Sequence, residues 1–421
     1  MQALQLRGHD ASLLHALQDE DWRQLLPMLD RARLTLPLAQ KAPSGLPGWV
    51  RERLSCNLAD AARSWERVQT AYREAAAALD GKGVEFLVLK GFTQAPEYVP
   101  SPKLRRQWDI DLYVPRDQIA SAVRGLQEIG YASCRAEEVY RHADHVPTLV
   151  RFGTWKWRGN WYDPDTPPAI ELHFCLWNDS VSSIAIPEVN EFWIRRRVRA
   201  CEDLIFPALH PVDHLAYFAL HILRDIFNED SRANQVQELA ISLDRRAGDD
   251  AFWKEWTATH SRRSRSMQAT VFSLAVAWFS CCVSDTVKSE IRSLPPRVGA
   301  WIKRCGCTPL EAQFRRTRDG RLLQTLFAET PEARKKILWR VVLPERVPGP
   351  AKIASCRTHP SLPEAPKLIS SYLAYPAYIA SRAWLNGGAI LRFVAHASLV
   401  LASRVRVRPV SRSDFESAPG I

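Results

Sequence analysis

Three patterns of apolar and polar positions alternate along this chain, and their changeovers mark its organisation. Trp65, Val68, Tyr72, Ala75, Ala76 and Leu79 recur at the spacing of a helix with one buried face. Gly81 and Gly83 end that pattern, so the first 80 residues read as helical. Residues 84–89 (VEFLVL) form a short apolar run, as in a buried strand. Lys90-Gly91 follows directly, placing a glycine at a strand end where backbone can approach a ligand closely. Residues 109–114 (DIDLYV) predict the next strand, which Pro115 ends. Asp117 is then placed to cap a helix that turns Ile119, Ala122, Val123 and Leu126 to one side, and Gly130 closes it. Residues 169–177 (AIELHFCLW) predict a third strand.

From Pro211 the period becomes helical. Helices are expected at 211–227, 234–246, 252–283 with breaks, and 310–327. The Pro- and Lys-rich stretch 344–367 reads as a linker. Residues 368–421 carry an apolar segment with Arg382, Arg392, Arg404 and Arg406 interspersed. Pro376 and Gly387-Gly388 interrupt it, so it predicts two amphipathic helices that cover a core or lie on a membrane surface. The expected organisation is a helical N-terminal segment (1–80), a catalytic core (81–205), a helical domain (206–343), the linker (344–367) and the helical tail (368–421).

Composition adds limits. The chain has 421 residues, 46% hydrophobic and 24% charged, which is globular. A net charge of +11 suits an anionic partner (nucleotide, nucleic acid or acidic lipid), with a solvated basic surface as the plainer account. No motif singles out nucleic acid. Nine irregularly spaced cysteines read as reduced thiols in a cytoplasmic protein, not a disulfide framework, and the pair Cys305 and Cys307 lacks a second pair that would make a zinc site. The N-terminus lacks the uninterrupted apolar core of a signal peptide. The apolar stretch 267–283 falls short of the ~20 residues a membrane span requires and reads as a buried helix. Location is therefore expected to be cytoplasmic, with the basic tail offering peripheral contact at the anionic inner membrane surface.

The chemistry concentrates in one constellation. Asp109 and Asp111 are separated by one residue on a predicted strand, so both carboxylates project from one face. Like charges so close repel unless a cation lies between them, which makes the pair a candidate Mg²⁺ platform, with Mn²⁺ as the alternative. Glu171 supplies a third carboxylate from a neighbouring strand, either for the ion or to accept a hydroxyl proton. His173 shares its face and would orient it or touch nucleotide. Lys90, Gly91, Arg105 and Arg106 are candidates to hold phosphates.

These residues resemble a family. The string LKGFTQAPEYVPSPKLRRQWDIDLYV is similar to the uncharacterised nucleotidyltransferase-5 family of the polymerase-β-like superfamily. Leu89, Lys90, Gly91, Arg105, Asp109, Asp111, Leu112 and Val114 match its pattern, and Glu171-Leu172-His173 resembles its acid-leucine-histidine element. The resemblance spans about residues 10–290. It implies an α+β fold, a mixed β-sheet core flanked by helices with a mainly helical C-terminal half. It also implies Mg²⁺-dependent transfer of a nucleoside monophosphate from an NTP to an acceptor of unnamed kind (protein, peptide, sugar or RNA). Lys90-Gly91 stands where the wider superfamily has Gly-Ser, which shifts phosphate handling towards Lys90. It also motivates an alternative, a non-catalytic nucleotide-binding or assembly factor of a biosynthetic cluster. A basic membrane-surface scaffold is a further alternative. The family's later aspartate is matched by Glu238, with Asp244 as the other choice.

Other groups are less specific. His210, His214, His221 and Asp225 fall at spacings that could share a helix face and ligate a metal, or simply pack beside the core. His142 and His145 fall in an expected loop. Trp155, Trp157 and Trp161 with Arg151, Lys156 and Arg158 suit either base stacking or a strand pair with cation–π contacts. Arg195-Arg196-Arg197 reads as a solvated face.

Overall fold

The computed structural model describes residues 1–8, 10–41, 45–133, 144–151, 153, 155–342, 376, 380 and 386–402. The predicted linker 344–367 and most of the tail, with Cys134, His142, Cys356, Arg382, Arg404 and Arg406, lie outside the described residues. The chain forms two compact units. Of the described residues, the first contains 1–225 and 231–294 and the second contains 226–230 and those from 295 to 402.

The first unit is built on a seven-stranded mixed sheet. Its strands are β1 (Leu87–Val88), β2 (Asp109–Tyr113), β3 (Tyr131–Ser133), β4 (Leu149–Arg151), β5 (Ala169–His173), β6 (Arg197–Cys201) and β7 (Leu204–Ala208). Their spatial order is β3-β4-β5-β2-β1-β7-β6. β2 runs parallel to β5 and antiparallel to β1.

The register of β2 on β5 separates core from chemistry. Ile110 lies opposite Ile170 and Leu112 opposite Leu172, all fully buried. Because side chains alternate with period two, Asp111 then lies opposite Glu171 and Tyr113 opposite His173. Against the apolar side packs the long helix Gly48–Asp80, through Trp65, Val68, Tyr72, Ala75 and Leu79. The helix Ile119–Glu128 adds Ala122 and Leu126 to the same core. Burying each large side chain contributes about 1.5–3 kcal/mol, which ties the sheet firmly to its helical cover.

Several sequence expectations shift. The run 84–89 pairs as a strand only at Leu87–Val88. Asp117 does not cap the following helix; a short 3₁₀ turn, Arg116–Gln118, carries the chain into it. Residues 155–161 form no strand. Their tryptophans make an edge-to-face group, with Trp157 to Trp161 at 5.3 Å and Trp161 to Trp108 at 6.2 Å. Arg195 is only partly solvated: it makes a two-pronged pair with the fully buried Asp213 at 2.8 and 3.0 Å, while Arg197 is exposed.

In the second unit the helices Pro296–Cys305, Thr308–Glu311, Asp319–Phe327 and Pro331–Val342 pack with a helix over 386–402. Gly387-Gly388 lies inside that last helix and does not interrupt it. No described helix is long and apolar enough to cross a membrane.

Candidate active site

Asp111, Glu171 and His173 converge on the polar side of the β2–β5 pair, while Asp109, on the same face of β2, lies outside their group. Asp111 Oδ1 is approached by two donors, Lys90 Nζ at 2.8 Å and His173 Nε2 at 2.9 Å. Glu171 is orientated by Thr148, whose hydroxyl donates to Oε1 at 2.9 Å, while Oε2 lies 3.9 Å from His173 Nε2. Ligand atoms of Asp111, Glu171 and His173 fall within 4.8 Å of one another, close enough to hold a cation. Asp109, the third acid, receives no hydrogen bond on its carboxylate from the described residues.

That difference in partners splits the two aspartates electrostatically. Burial and the neighbouring Asp111 and Glu171 push the Asp109 carboxyl up, against the weaker pull of Lys90 and Arg33. Burial acts on Asp111 in the same sense, but Lys90 and His173 outweigh it and hold that carboxyl well below the usual range. Burial likewise opposes charge on Lys90, and Asp111, Tyr217 and Asp109 more than reverse it. One acid is thus neutralised internally and its neighbour is left wanting a cation.

The backbone supports this arrangement. Gly91 has φ +71°, and a Cβ there would come within 2.2–2.6 Å of the Gln107 side-chain amide. That amide donates to the Asp109 carbonyl at 2.7 Å, so the glycine lets the turn after β1 close onto the start of β2.

A second row lies behind His173. Its Nδ1 is 3.8 Å from Asp144 Oδ2. Burial would raise the Asp144 carboxyl, but Arg224, with His173, His145 and Lys90, holds it down at about 2. Arg224 comes from the helix Pro211–Asn228 and pairs with Asp144. The same guanidinium lies 2.8 Å from His221 Nδ1. Burial, Lys90 and Arg224 push the His221 imidazole well below its ordinary value, so it is neutral.

The arginines take distinct places. Arg105 Nε donates to Glu238 Oε1 at 3.0 Å, and Asn234 donates to the same oxygen at 3.0 Å. Asp244 instead receives Arg7 and the Cys282 amide. Arg106 is buried and donates to the carbonyls of Trp161, Gln107 and Asp163, so it braces the loop leading into β5. Arg33, which nothing in the sequence pattern distinguishes, stacks 4.2 Å over Trp108. Burial, then Arg232 and Arg105, lower its guanidinium to about 9 against the pull of Asp109 and Glu238. Cationic charge is in excess here, as in a pocket made for an anion. A cavity of about 80 Å³ is lined by Arg33, Arg105, Arg106, Trp108, Tyr162 and Glu238 among others. It is well short of the ~300–1,000 Å³ of pockets that enclose whole ligands.

The histidines expected on one helix face go to separate partners. His210 lies 3.6 Å from Glu255, His214 packs on Tyr98 and lies 3.3 Å from Arg199, and His221 faces Arg224 and Asp225. His145 stacks beside His173 with ring centres 5.1 Å apart.

A paired-acid face on a mixed sheet, backed by lysine and arginine, has the makings of a phosphate-handling site. The sequence model of a family described as an uncharacterised nucleotidyltransferase matches residues 18–280, well over half of the chain. The chain belongs to this nucleotidyltransferase family, and membership supports a general nucleotidyl-transfer role with an NTP as substrate. No curated protein and no solved structure matches it.

Proposed function

We propose that the protein is a Mg²⁺-dependent nucleotidyltransferase that moves a nucleoside monophosphate from an NTP to a hydroxyl-bearing acceptor. The observation that carries this reading is the set of three acids at the β2–β5 register, with Asp111 opposite Glu171 and Asp109 one step away. Oxygen donors of this kind suit Mg²⁺, and the half-buried Asp109 carboxylate, beside two like charges, fits a cation that the chain does not itself supply. Asp109, Asp111 and Glu171 would hold the ion. When bound, Mg²⁺ (or Mn²⁺) supplies positive charge at the phosphates.

The chain's own residues account for the remaining roles. Lys90, Arg33 and Arg105 offset triphosphate charge, and Gly91 allows close backbone approach. Arg106 contributes by holding the loop rather than by touching phosphate. His173 keeps Asp111 in place. Glu171 accepts the acceptor's hydroxyl proton; the acceptor oxygen bonds to the α-phosphorus, and the bond to the β-phosphate oxygen breaks, releasing pyrophosphate. A cytoplasmic location is supported by the seven described cysteines, all free.

One observation favours a second reading. Lys90 already neutralises Asp111 at 2.8 Å, as in a site that binds nucleotide without turnover. Double labelling separates the two. The enzyme, given cell extract as the source of acceptor, is expected to transfer α-phosphate label and never γ-label, and to lose transfer in Asp109→Ala and Asp111→Ala. Transfer of γ-label alone would contradict nucleotidyl transfer, as would equal α-labelling by both variants.

A further inference from the structure

The second unit contains a mixed sulfur, nitrogen and oxygen cluster unrelated to the carboxylates of the sheet. Cys305 closes the helix Pro296–Cys305, Asp319 opens the helix Asp319–Phe327, and His396 lies in the helix over 386–402. One ligand atom from each falls within 4.8 Å of the others. Cys305 is fully buried and Asp319 nearly so. His396 Nδ1 lies 2.8 Å from Asp319 Oδ1.

We propose that Cys305, Asp319 and His396 form a binding site for a zinc-type transition cation.

The donor set is one that zinc accepts: one thiolate, one imidazole and one carboxylate, with the fourth position left to water. Mg²⁺ and Ca²⁺, which take oxygen ligands, are disfavoured by the sulfur. The Asp319–His396 contact is compatible with this use. Two N/O ligands of a tetrahedral ion sit about 3.3 Å apart at ordinary zinc bond lengths, so opening the 2.8 Å pair by a fraction of an ångström admits the ion. Binding converts the Cys305 thiol to thiolate and releases its proton to solvent.

The surroundings hold the backbone segments that carry the ligands. Trp301, one turn before Cys305 on the same helix, donates its indole N–H to the Asp319 carbonyl at 2.8 Å. Gly320 packs so tightly on the Ile226 carbonyl that a Cβ there would meet it at 1.9 Å, which anchors the backbone next to Asp319. The 386–402 helix is held by Asn386, which accepts from Arg316 at 2.7 Å, and by Arg392, which donates to the Arg316 carbonyl at 2.8 Å. The neighbouring Cys307 is exposed and outside the cluster, so the pair of cysteines in the sequence is not the ligand pair.

The test is Co²⁺ titration of the full-length, chelator-treated protein, read by absorption. One Co²⁺ per chain is expected, with a thiolate-to-cobalt charge-transfer band and the visible bands of tetrahedral cobalt. Zn²⁺ should displace it and excess Mg²⁺ should not. Cys305→Ser should abolish the charge-transfer band, and His396→Ala should weaken binding by at least about 10–100-fold, the loss that even outer-contact changes produce. Cys307→Ser should match the parent. Circular dichroism melts of the metal-free variants check that each is folded. No charge-transfer band in the parent, or a band that survives Cys305→Ser or vanishes in Cys307→Ser, would overturn the proposal.

Discussion

Lys90 and Asp111 form a nearly buried ion pair, Nζ to Oδ1 at 2.8 Å, at the point where the chain leaves β1 and the paired acids of β2 begin. Removing one partner of a buried pair leaves an uncompensated charge and costs about 3–5 kcal/mol. Lys90→Met is therefore expected to lower stability by that order in chelator, measured by urea denaturation. Mg²⁺ should restore part of the loss, because a bound cation replaces the missing ammonium. A variant as stable as the parent would show that the pair does not hold the site together.

Asp109 gives the opposite sign. Its carboxyl is raised in the folded state, so ionising it costs stability as pH rises from the unfolded value through the folded one, and the cost is fully present above that window. Asp109→Asn should thus melt at a higher temperature than the parent at neutral pH in chelator, and the advantage should fade in acid. The same variant should lose the stabilisation that Mg²⁺ gives the parent. A destabilised Asp109→Asn at neutral pH would mean that the acid is already satisfied.

Arg33 stacks on Trp108, and Asp109 and Glu238 offset its charge only in part. If it meets the triphosphate, Arg33→Gln loses one hydrogen bond to a charged group, worth about 1.5–3 kcal/mol, or about 10–100-fold in NTP affinity. Calorimetry with Mg²⁺–NTP reads this directly. Unchanged affinity would remove Arg33 from the phosphate site.

Gly91→Ala tests the turn. Its positive φ and the nearby Gln107 amide both oppose a side chain, for a cost of roughly 1–3 kcal/mol. Because Gln107 holds the Asp109 carbonyl, activity should fall more than stability predicts. Full activity in a folded Gly91→Ala protein would show that the turn tolerates displacement.

Much of the site could be read from sequence because strand alternation is local. The parity of Asp109 and Asp111, and of Glu171 and His173, follows from period two alone, and the in-register parallel pairing then brings Asp111 to Glu171. What was hidden depends on distant chain. Arg33 is one arginine among many in the N-terminal helices until it stacks on Trp108. Arg224 reaches Asp144 across 80 positions, and Arg105 is claimed by Glu238 across 133. Strands β6 and β7 are not legible in the sequence because Arg197 and Arg199 lie in the first and Pro207 in the second, which masks the apolar alternation of an edge hairpin.

The most direct measurement is calorimetric titration of the purified chain with each NTP, with and without Mg²⁺, beside the Asp109→Ala/Asp111→Ala double variant. Mg²⁺-dependent binding of at least one NTP by the parent is expected, with its loss in the double variant while the helical signal of the variant stays intact. Binding that ignores Mg²⁺, or persists in the double variant, would contradict a carboxylate-held metal site at β2.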